Sequence, residues 1–365
     1  GGKAANGCAV TAATDAIGAC HFNDSRYRSE VRSRERQSGI TSRFPFPPCT
    51  RPPLPDAAHG FAVANRRRFC YNGQEKGAFA MLDVCDPRVI RALLEKYGFH
   101  FSKAKGQNFL TQRWVPQRIA QEAGIDRSTG VLEIGPGFGP LTQELCLRAG
   151  RVTAIELDTT LRPVLAETVG EFDNLTIHFA DAMKMDLPAL VQAEFPGLTP
   201  AACANLPYYI TSPVLTRLLE SRCFSAVTVM VQKEVARRIC AAPGTADYSA
   251  FSILCQYHAA PELLFDVPAS CFIPQPKVTS AVVCLRTRPA PADIRDDVLF
   301  FRTVRASFAQ RRKTLVNGLA SGFPQLTKAE LTDVLAACGL PANVRGETLG
   351  LEGFAALSNA IGERL

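Results

Sequence analysis

Short apolar runs alternate with amphipathic stretches through the middle of this 365-residue chain. Five runs have the length and composition of buried strands, and the stretches between them are long enough for helices. The runs are Val131–Ile134, Val152–Ile155, Leu175–Phe179, Ala201–Ala204 and Val227–Val231. Because a helix between two strands carries the chain back along the sheet, this alternation predicts an α/β fold with a parallel, doubly wound sheet.

Two further apolar runs, Leu263–Val267 and Ala281–Leu285, follow each other without room for a crossover helix. Parallel neighbours need such a crossover, whereas antiparallel neighbours do not. We therefore expect the sheet to finish with an antiparallel hairpin, which brings the strand count to seven.

A glycine-rich turn, Glu133–Gly139, follows the first predicted strand and leads into a helix beginning near Leu141. Glycine lets such a turn approach a ligand closely, because no side chain intervenes. The spacing is G-x-G-x-G rather than the G-x-G-x-x-G of dinucleotide folds, and the acid two residues before the first glycine is atypical for pyrophosphate binding. The turn therefore indicates a nucleotide-like ligand, with a glycine turn that binds nothing as the alternative.

Carboxylates end the next two strands. Glu156 closes the second strand, 21 residues after Gly135, where nucleotide-binding folds place an acid that accepts hydrogen bonds from ribose hydroxyls. Asp181 ends the third strand and could hold an adenine amine. Either acid alone could be a solvated strand end, but three suitable strand ends together favour a nucleotide site.

The fourth strand leads into Asn205-Leu206-Pro207-Tyr208-Tyr209. The side-chain oxygen of Asn205 and the carbonyl oxygen of Leu206 could accept hydrogen bonds from a planar amino group, which would make its nitrogen more pyramidal and more reactive. Tyr208 would stack on the base, and Pro207 stiffens the turn. The segment predicts methyl transfer to a base amine, with an ordinary Asn/Pro turn as the alternative.

Five sequence blocks together resemble the ribosomal RNA adenine dimethyltransferases, especially their bacterial small-subunit branch. They lie in the family's order between about Met81 and Leu365: Lys105–Leu110, Glu133–Gly139, Asn205–Tyr208, Gln232–Arg238 and Phe272–Ala281. The resemblance implies a Rossmann-like, seven-stranded class I methyltransferase domain that uses S-adenosylmethionine, followed by a small helical C-terminal domain. It implies N6,N6-dimethylation of two adjacent adenosines in the 3′-terminal hairpin loop of small-subunit (16S) rRNA, and a role in ribosome biogenesis.

The resemblance also implies a role for each candidate site residue. The implied cofactor-binding residues are Asn108, Leu110, Gly135, Gly137, Glu156, Asp181 and Asn205, and the implied catalytic residues are Asn205, Leu206 and Tyr208. Glu156 is implied to bind the ribose of the cofactor and Asp181 its adenine, while Gly135 lies under its methionine part. No Cys/His/carboxylate cluster implies a metal ion.

The chain divides into four segments. Residues 1–80 show no sustained period and pack six prolines between Phe44 and Pro55, so we expect a disordered leader upstream of a natural start at Met81. An organelle transit peptide is the alternative for this leader. We expect an N-terminal helix and cofactor-contacting arm over 81–110, a methyltransferase domain over 111–290 and a helical domain over 291–365. Asp86 and Pro87 predict the start of the first helix.

Basic residues number 41 and acidic residues 34, a formal net charge of +7. Residues 1–80 hold twelve of the basic and six of the acidic residues, so 81–365 carries 29 and 28 and is nearly neutral. An RNA-binding surface must therefore be local. The candidates are Arg237 and Arg238 after the fifth strand, and Arg302, Arg305, Arg311, Arg312 and Lys313 on a helical stretch that opens the C-terminal domain. Any one of them could merely solvate a helix, but as a group they favour RNA binding.

Thirteen cysteines without a C-x-x-C pair predict a reduced, cytoplasmic compartment, and no apolar stretch is long enough for a membrane span. We expect a monomer whose partners are small-subunit rRNA and the immature small ribosomal subunit, with no membrane partner.

Two other functions stay open. A large-subunit adenine methyltransferase of the macrolide-resistance type is disfavoured by Leu206 and Gln232–Arg238, and a non-enzymatic assembly factor by the intact acids and Asn205.

Overall fold

The computed structural model of the protein describes residues 81–98, 108–291 and 293–365. The predicted leader over 1–80 and the first three residues of the block Lys105–Leu110 lie outside the described residues. No helix within the described ranges is long and apolar enough to cross a membrane.

The first described helix, α1 (Pro87–Lys96), begins where the sequence predicts. The side chain of Asp86 caps it by accepting the backbone N–H two residues further on, at 2.8 Å, and proline occupies the first helical position. Ile90 and Leu93 are buried in a cluster that also contains Phe138. The helix is therefore held in place by its apolar face.

The elements that follow alternate as predicted. After β1 (Phe109–Leu110) and α2 (Trp114–Glu122) come β2 (Thr129–Ile134), α3 (Pro140–Arg148), β3 (Arg151–Glu156), α4 (Arg162–Thr168), β4 (Leu175–Phe179), α5 (Leu187–Glu194), β5 (Thr199–Asn205), α6 (Thr211–Glu220) and β6 (Ala226–Gln232). The next elements are α7 (Lys233–Cys240), α8 (Ala250–His258), β7 (Ala259–Val267), β8 (Phe272–Ile273) and β9 (Ser280–Thr287). The chain ends with α9 (Asp297–Ala309), α10 (Leu315–Gly322), α11 (Lys328–Ala337) and α12 (Leu351–Gly362).

Seven strands form one sheet in the order β4-β3-β2-β5-β6-β9-β7. The strands β2 to β6 are parallel, and β9 pairs antiparallel with both β6 and β7. This confirms the predicted α/β class, the strand count and the antiparallel end. The sequence analysis missed β1 and β8, which pair antiparallel in a separate two-stranded sheet, because two-residue strands show no periodicity.

Helices cover both faces of the sheet, which explains why an interior strand such as β2 is buried along its whole length. Successive residues of a strand point to opposite faces. In β2, Leu132 packs in a core cluster with Leu215 of α6, whereas its neighbour Val131 packs in another cluster with Leu141 of α3. Helices packed on both faces of the sheet thereby fix the loops that leave the carboxyl ends of β2, β3 and β5.

The C-terminal helices share a core with residues that precede β7. Tyr248, Ile253 and Tyr257 are buried in the same cluster as Phe300 and Phe354. The Tyr248 hydroxyl also donates a hydrogen bond of 3.0 Å to the backbone carbonyl of Leu349. The predicted domain boundary at residue 290 stays a prediction, but the packing continues across it.

One placement in the predicted RNA-binding set was wrong. Arg311, Arg312 and Lys313 were expected on a helix, but α9 ends at Ala309 and these residues lie in the turn that leads to α10. The backbone N–H of Lys313 donates to the carbonyl of Gln310 at 2.8 Å, which closes the turn. Because residues 310–313 carry no apolar side chain, extending the helix through them would bury no apolar surface.

Candidate active site

A cavity of about 440 Å³ lies at the carboxyl ends of β2, β3 and β5, the position where parallel sheets bind ligands. All nine residues predicted to bind the cofactor or the target amine line it. They are Asn108, Leu110, Gly135, Gly137, Glu156, Asp181, Asn205, Leu206 and Tyr208. Although up to 100 positions separate these residues in sequence, the structure brings them together at one site.

The glycine loop forms the floor of the cavity where β2 ends. Gly135 has a φ of +71°, a conformation that other residues rarely adopt, and nothing lies within 4 Å of where its Cβ would stand. At Gly137, with a φ of +59°, an added Cβ would lie 3.3 Å from the ring of Phe109. The loop therefore leaves open space at one glycine and contacts the N-terminal arm at the other.

The arm reaches the cavity through β1. Phe109 and Leu110 pair with Ile273 and Phe272 of β8, and the ring of Phe109 lies 4.2 Å from that of Phe138, centroid to centroid. Leu110 is buried. The pairing with β8 fixes the side chains of the arm against the glycine loop.

Glu156 is oriented by backbone donors. Its carboxyl oxygens accept hydrogen bonds from the backbone N–H groups of Asp158, at 2.8 Å, and Gly137, at 3.2 Å. Burial raises the pKa of Glu156, and these two hydrogen bonds oppose the rise. Each oxygen retains acceptor capacity, so the carboxyl group can also receive ligand hydroxyls, as ribose binding requires.

A second carboxyl group, which the sequence analysis did not assign to the site, lines the same cavity. Glu133 is 1% exposed, and its Oε2 atom forms no hydrogen bond with any described residue. Burial raises the pKa of Glu133 to about 8, and the nearby carboxyl group of Glu156 adds to the rise. The signal was present in the sequence as the acid before the glycine turn, but burial could not be predicted from that position alone.

Asp181 lines the cavity, as do two exposed apolar side chains. One of its oxygens accepts the backbone N–H of Met183 at 2.9 Å, and Lys184 lies 3.7 Å from the other. Met183 and Leu157 line the cavity and are 39% and 65% exposed. They are suited to cover the faces of a flat ligand ring. The sequence analysis missed both because neither belongs to a polar motif.

The Asn205–Tyr208 segment forms the wall opposite the acids. Asn205 ends β5, and no described residue hydrogen-bonds its side chain. Leu206 is buried, and its backbone N–H donates to the carbonyl of Met230 at 3.2 Å. Tyr208 begins a single 3₁₀ turn, and its neighbour Tyr209 is 58% exposed at the cavity. An amide oxygen at the edge of an aromatic platform can accept a hydrogen bond from a stacked base.

The predicted RNA-binding residues do not line the cavity, and they divide into two groups. Three are engaged within the fold. Arg302 donates to the carbonyl of Gly322 and lies over the ring of Phe323, Arg311 pairs with Glu347 at 2.6 Å, and Arg238 pairs with Glu234 at 3.1 Å. The other four have exposed side chains that form no hydrogen bond or ion pair with a described residue: Arg237, Arg305, Arg312 and Lys313.

Comparison with known proteins identifies relatives that cover most of the chain. The family model described as "Ribosomal RNA adenine dimethylase" matches residues 98–345, more than half of the chain. A curated protein from Alkaliphilus oremlandii, named ribosomal RNA small subunit methyltransferase A, is 42% identical over 284 residues, which is 77% of this chain and 99% of the relative. A protein of the same name from a Geobacillus strain is 44% identical over 284 residues, with 76% and 98% covered.

Two solved structures are also similar. A dimethyladenosine transferase from Plasmodium falciparum has a TM-score of 0.58 at 25% identity, covering 70% of this chain and 98% of that one. The 23S rRNA methyltransferase ErmE has a TM-score of 0.54 at 26% identity, covering 70% and 99%. Both support the overall fold described above.

Proposed function

The chain belongs to the ribosomal RNA adenine dimethylase family, and we propose that it dimethylates N6 of two adjacent adenosines in the 3′-terminal hairpin loop of small-subunit rRNA. One observation carries the proposal. A single cavity holds the acids suited to a nucleoside cofactor and, on its opposite wall, Asn205 and Tyr208, which are suited to a base amine. The enzyme is an S-adenosylmethionine-dependent methyltransferase.

The residues of the cavity fit this cofactor. Glu156 would hold the ribose hydroxyls, Asp181 the adenine amine, and Gly135 leaves open space for the methionine part. The unpartnered oxygen of Glu133 adds an acceptor on the floor of the cavity. When bound, S-adenosylmethionine supplies a methyl group that its sulfonium makes strongly electrophilic.

The chain's own residues act on the target amine. The Asn205 side-chain oxygen and the Leu206 carbonyl accept its two N–H groups, which favours a pyramidal nitrogen whose lone pair can attack. Tyr208 stacks on the adenine and holds the amine in line with the methyl group. The amine can lose its proton after the methyl group arrives, so positioning and charge complementarity contribute most of the rate enhancement.

The small-subunit assignment is supported by the curated relatives, which are 42% and 44% identical over nearly their whole length and are named for that subunit. The large-subunit alternative has weaker support, since ErmE is 26% identical. An assembly function without catalysis does not account for Asn205 and the two acids at one cavity. A role in small-subunit biogenesis is compatible with catalysis and is part of the proposal.

Expression in bacterial cells that lack small-subunit adenine dimethylation tests this function. The chain should restore N6,N6-dimethyladenosine at two adjacent positions of small-subunit rRNA, and the Asn205→Ala variant should not. Methylation mapped to large-subunit rRNA instead would support the alternative enzyme. Restored subunit maturation by both proteins without any methylation would support the assembly factor.

The RNA contact is proposed to come from the four exposed basic residues Arg237, Arg305, Arg312 and Lys313. Reversing the charge of Arg312 and Lys313 should weaken binding to small ribosomal subunits and lower the slope of log K against log salt by about two, one for each lost phosphate contact. Cofactor affinity should not change. Reversal of Arg345 and Arg364, exposed in the same helical region, is the matched control. An equal loss in both variants would contradict a localised contact.

We propose a cytoplasmic monomer that acts on immature small subunits. Free thiols support a reduced compartment, since all nine cysteines in the described ranges are free and six of them are buried. Sedimentation of the purified protein with and without immature subunits tests the monomeric state and the partner together.

A further inference from the structure

Ser280 lies beside the site but belongs to none of the motifs assigned to cofactor or amine. It begins β9, at the point where that strand pairs with Gln232 of β6 and with Val267 of β7. Its side chain is completely buried. A buried hydroxyl group needs a hydrogen-bond partner, because an unpaired one destabilises the fold.

The partner of Ser280 is the tyrosine of the catalytic segment. The Oγ atom of Ser280 and the Oη atom of Tyr208 are 2.8 Å apart, a normal distance for a hydrogen bond between hydroxyl groups. Seventy-two positions separate the two residues in the sequence. The bond joins the far end of the Tyr208 ring to β9, an antiparallel strand of the main sheet.

The segment before Ser280 is anchored at both of its ends. Phe272 and Ile273 pair with the arm residues of β1, and the carbonyl of Thr279 accepts the backbone N–H of Lys233 at 3.0 Å. The residues between the two anchors therefore connect the cofactor arm to the wall of the site that faces the target base. Ser280 is held rigidly enough to fix the side chain bonded to it.

Tyr208 itself needs such a fixed point. Its ring lines the cavity, is only partly buried and stands on a single 3₁₀ turn. Burial raises the pKa of Tyr208 and the hydrogen bond to Ser280 opposes the rise, so the phenol stays neutral and bonded. A ring attached only through its Cβ atom can swing about the Cα–Cβ bond, whereas a hydrogen bond at Oη holds the far end of the ring in one place.

We propose that Ser280 is a positioning residue for methyl transfer: through its hydrogen bond it holds the ring of Tyr208 in place at the cavity, and thereby positions the target adenine that stacks on that ring. The inference rests on the proposed function, because it requires the base to stack on Tyr208. This positioning is needed for both methyl transfers to one adenosine, since the monomethylated adenine must return to the same orientation before the second transfer.

Three variants test the inference: Ser280→Ala, Tyr208→Phe and the double variant. Each removes the same bond, and Tyr208→Phe leaves the stacking ring in place. Each single variant should lower kcat/KM on unmethylated small subunits by about tenfold, mainly through kcat, with unchanged cofactor affinity. Product should shift from dimethyladenosine toward monomethyladenosine. The double variant should be no slower than the slower single variant, because both singles remove one interaction.

Ser358→Ala is the matched control. Ser358 is also buried, and its hydroxyl bonds a backbone carbonyl at 2.9 Å within α12, remote from the catalytic segment. It should lose stability comparable to that lost by Ser280→Ala while keeping kcat/KM. Activity of Ser280→Ala within about twofold of wild type, or a double variant whose losses multiply, would overturn the inference.

A spectroscopic measurement separates this inference from the proposed function. In protein labelled with ¹³C at the tyrosine Cζ atoms, Tyr208→Phe identifies the Tyr208 resonance, and Ser280→Ala should shift it while leaving the other tyrosine signals in place. An unchanged resonance would contradict the bond even if methylation is observed. A shifted resonance with a wild-type protein that does not methylate small subunits would instead refute the function.

Discussion

At the residue scale, two carboxyl groups with different surroundings line one cavity. Glu156 accepts two backbone hydrogen bonds, whereas Oε2 of Glu133 accepts none from the described residues. Glu133 consequently keeps its proton at neutral pH in the absence of ligand, since burial raises its pKa to about 8. The cavity therefore combines an oriented carboxylate for ribose with a buried acid that destabilises the fold if it ionises.

Glu133→Gln should make stability less dependent on pH. In the unfolded chain this carboxyl group ionises near its usual pKa of 4.5, whereas in the folded protein it holds its proton up to about 8. The free energy of unfolding should therefore fall as the pH rises between these values, by up to about 1.4 kcal/mol per pH unit. Urea denaturation at about pH 5 and about pH 8 should show the glutamine variant gaining stability relative to wild type as the pH rises. The exposed Glu95→Gln is the control, and a parallel pH dependence in wild type and Glu133→Gln would contradict the buried, protonated state.

Cofactor binding and methyl transfer should separate between two residues. Glu156→Ala should raise the cofactor Kd by about 10- to 100-fold, because hydrogen bonds to a charged group are lost. Asn205→Ala should lower kcat by about 100-fold or more with a nearly unchanged Kd, because an acceptor for the reacting amine is lost. Calorimetric titration with the cofactor and single-turnover methylation measure the two effects. A loss of kcat alone in Glu156→Ala and a loss of cofactor affinity alone in Asn205→Ala would contradict these two assignments.

At the element scale, the turn from β2 to α3 and the pairing of β1 with β8 form two sides of the cavity. The turn requires positive φ values, and the space beside Gly135 is open toward the cavity. The pairing of β1 with β8 holds the arm close enough to contact Gly137. The glycine turn and the β1–β8 pair pack against each other, because the ring of Phe109 lies on the glycine turn.

Gly135→Ala should reduce cofactor affinity by about tenfold or more, because its methyl group would occupy space at the cavity floor, and the positive φ adds strain of about 1–2 kcal/mol. Gly124→Ala provides a matched control for strain. Its φ is +68° against +71° for Gly135, and nothing lies within 4 Å of its added Cβ either. Both variants should melt at lower temperature, but only Gly135→Ala should bind the cofactor weakly. If both variants bound the cofactor with equal affinity, Gly135 would not belong to the cofactor site.

The strands and acids could be predicted from sequence because their signals are local. Glu156 and Asp181 each follow an apolar run, so their position at the sheet edge follows from the periodicity. Other features depend on distant contacts. Ser280 forms a hydrogen bond with Tyr208, 72 positions away in the sequence, and Arg311 with Glu347, 36 positions away. Neither role could be predicted from the residues that surround Ser280 or Arg311 in the sequence.

At the scale of the whole molecule, the C-terminal helices and the methyltransferase region share one core. Tyr257 donates a hydrogen bond of 2.6 Å to Asp297 at the start of α9, and Arg222 lies within 3.7 Å of the same carboxylate. Together with Tyr248, these contacts join α8 to the helices that follow the sheet. The sequence indicated a second domain, but it could not show that the core of that domain begins before β7.

The described region should consequently unfold in one cooperative transition. Trp114, the only tryptophan of the chain, reports on α2, while far-UV circular dichroism also reports on the C-terminal helices. The two thermal curves should coincide. An earlier loss of helix signal with unchanged Trp114 fluorescence would contradict the shared core.

The most direct test of the central claim is incubation of the purified chain with unmethylated small ribosomal subunits and methyl-labelled S-adenosylmethionine, followed by nucleoside analysis and mapping of the label. We expect N6,N6-dimethyladenosine at two adjacent positions in the 3′-terminal hairpin loop, and none with Asn205→Ala. Label in large-subunit RNA alone, no label in either subunit, or equal label with the Asn205 variant would contradict it.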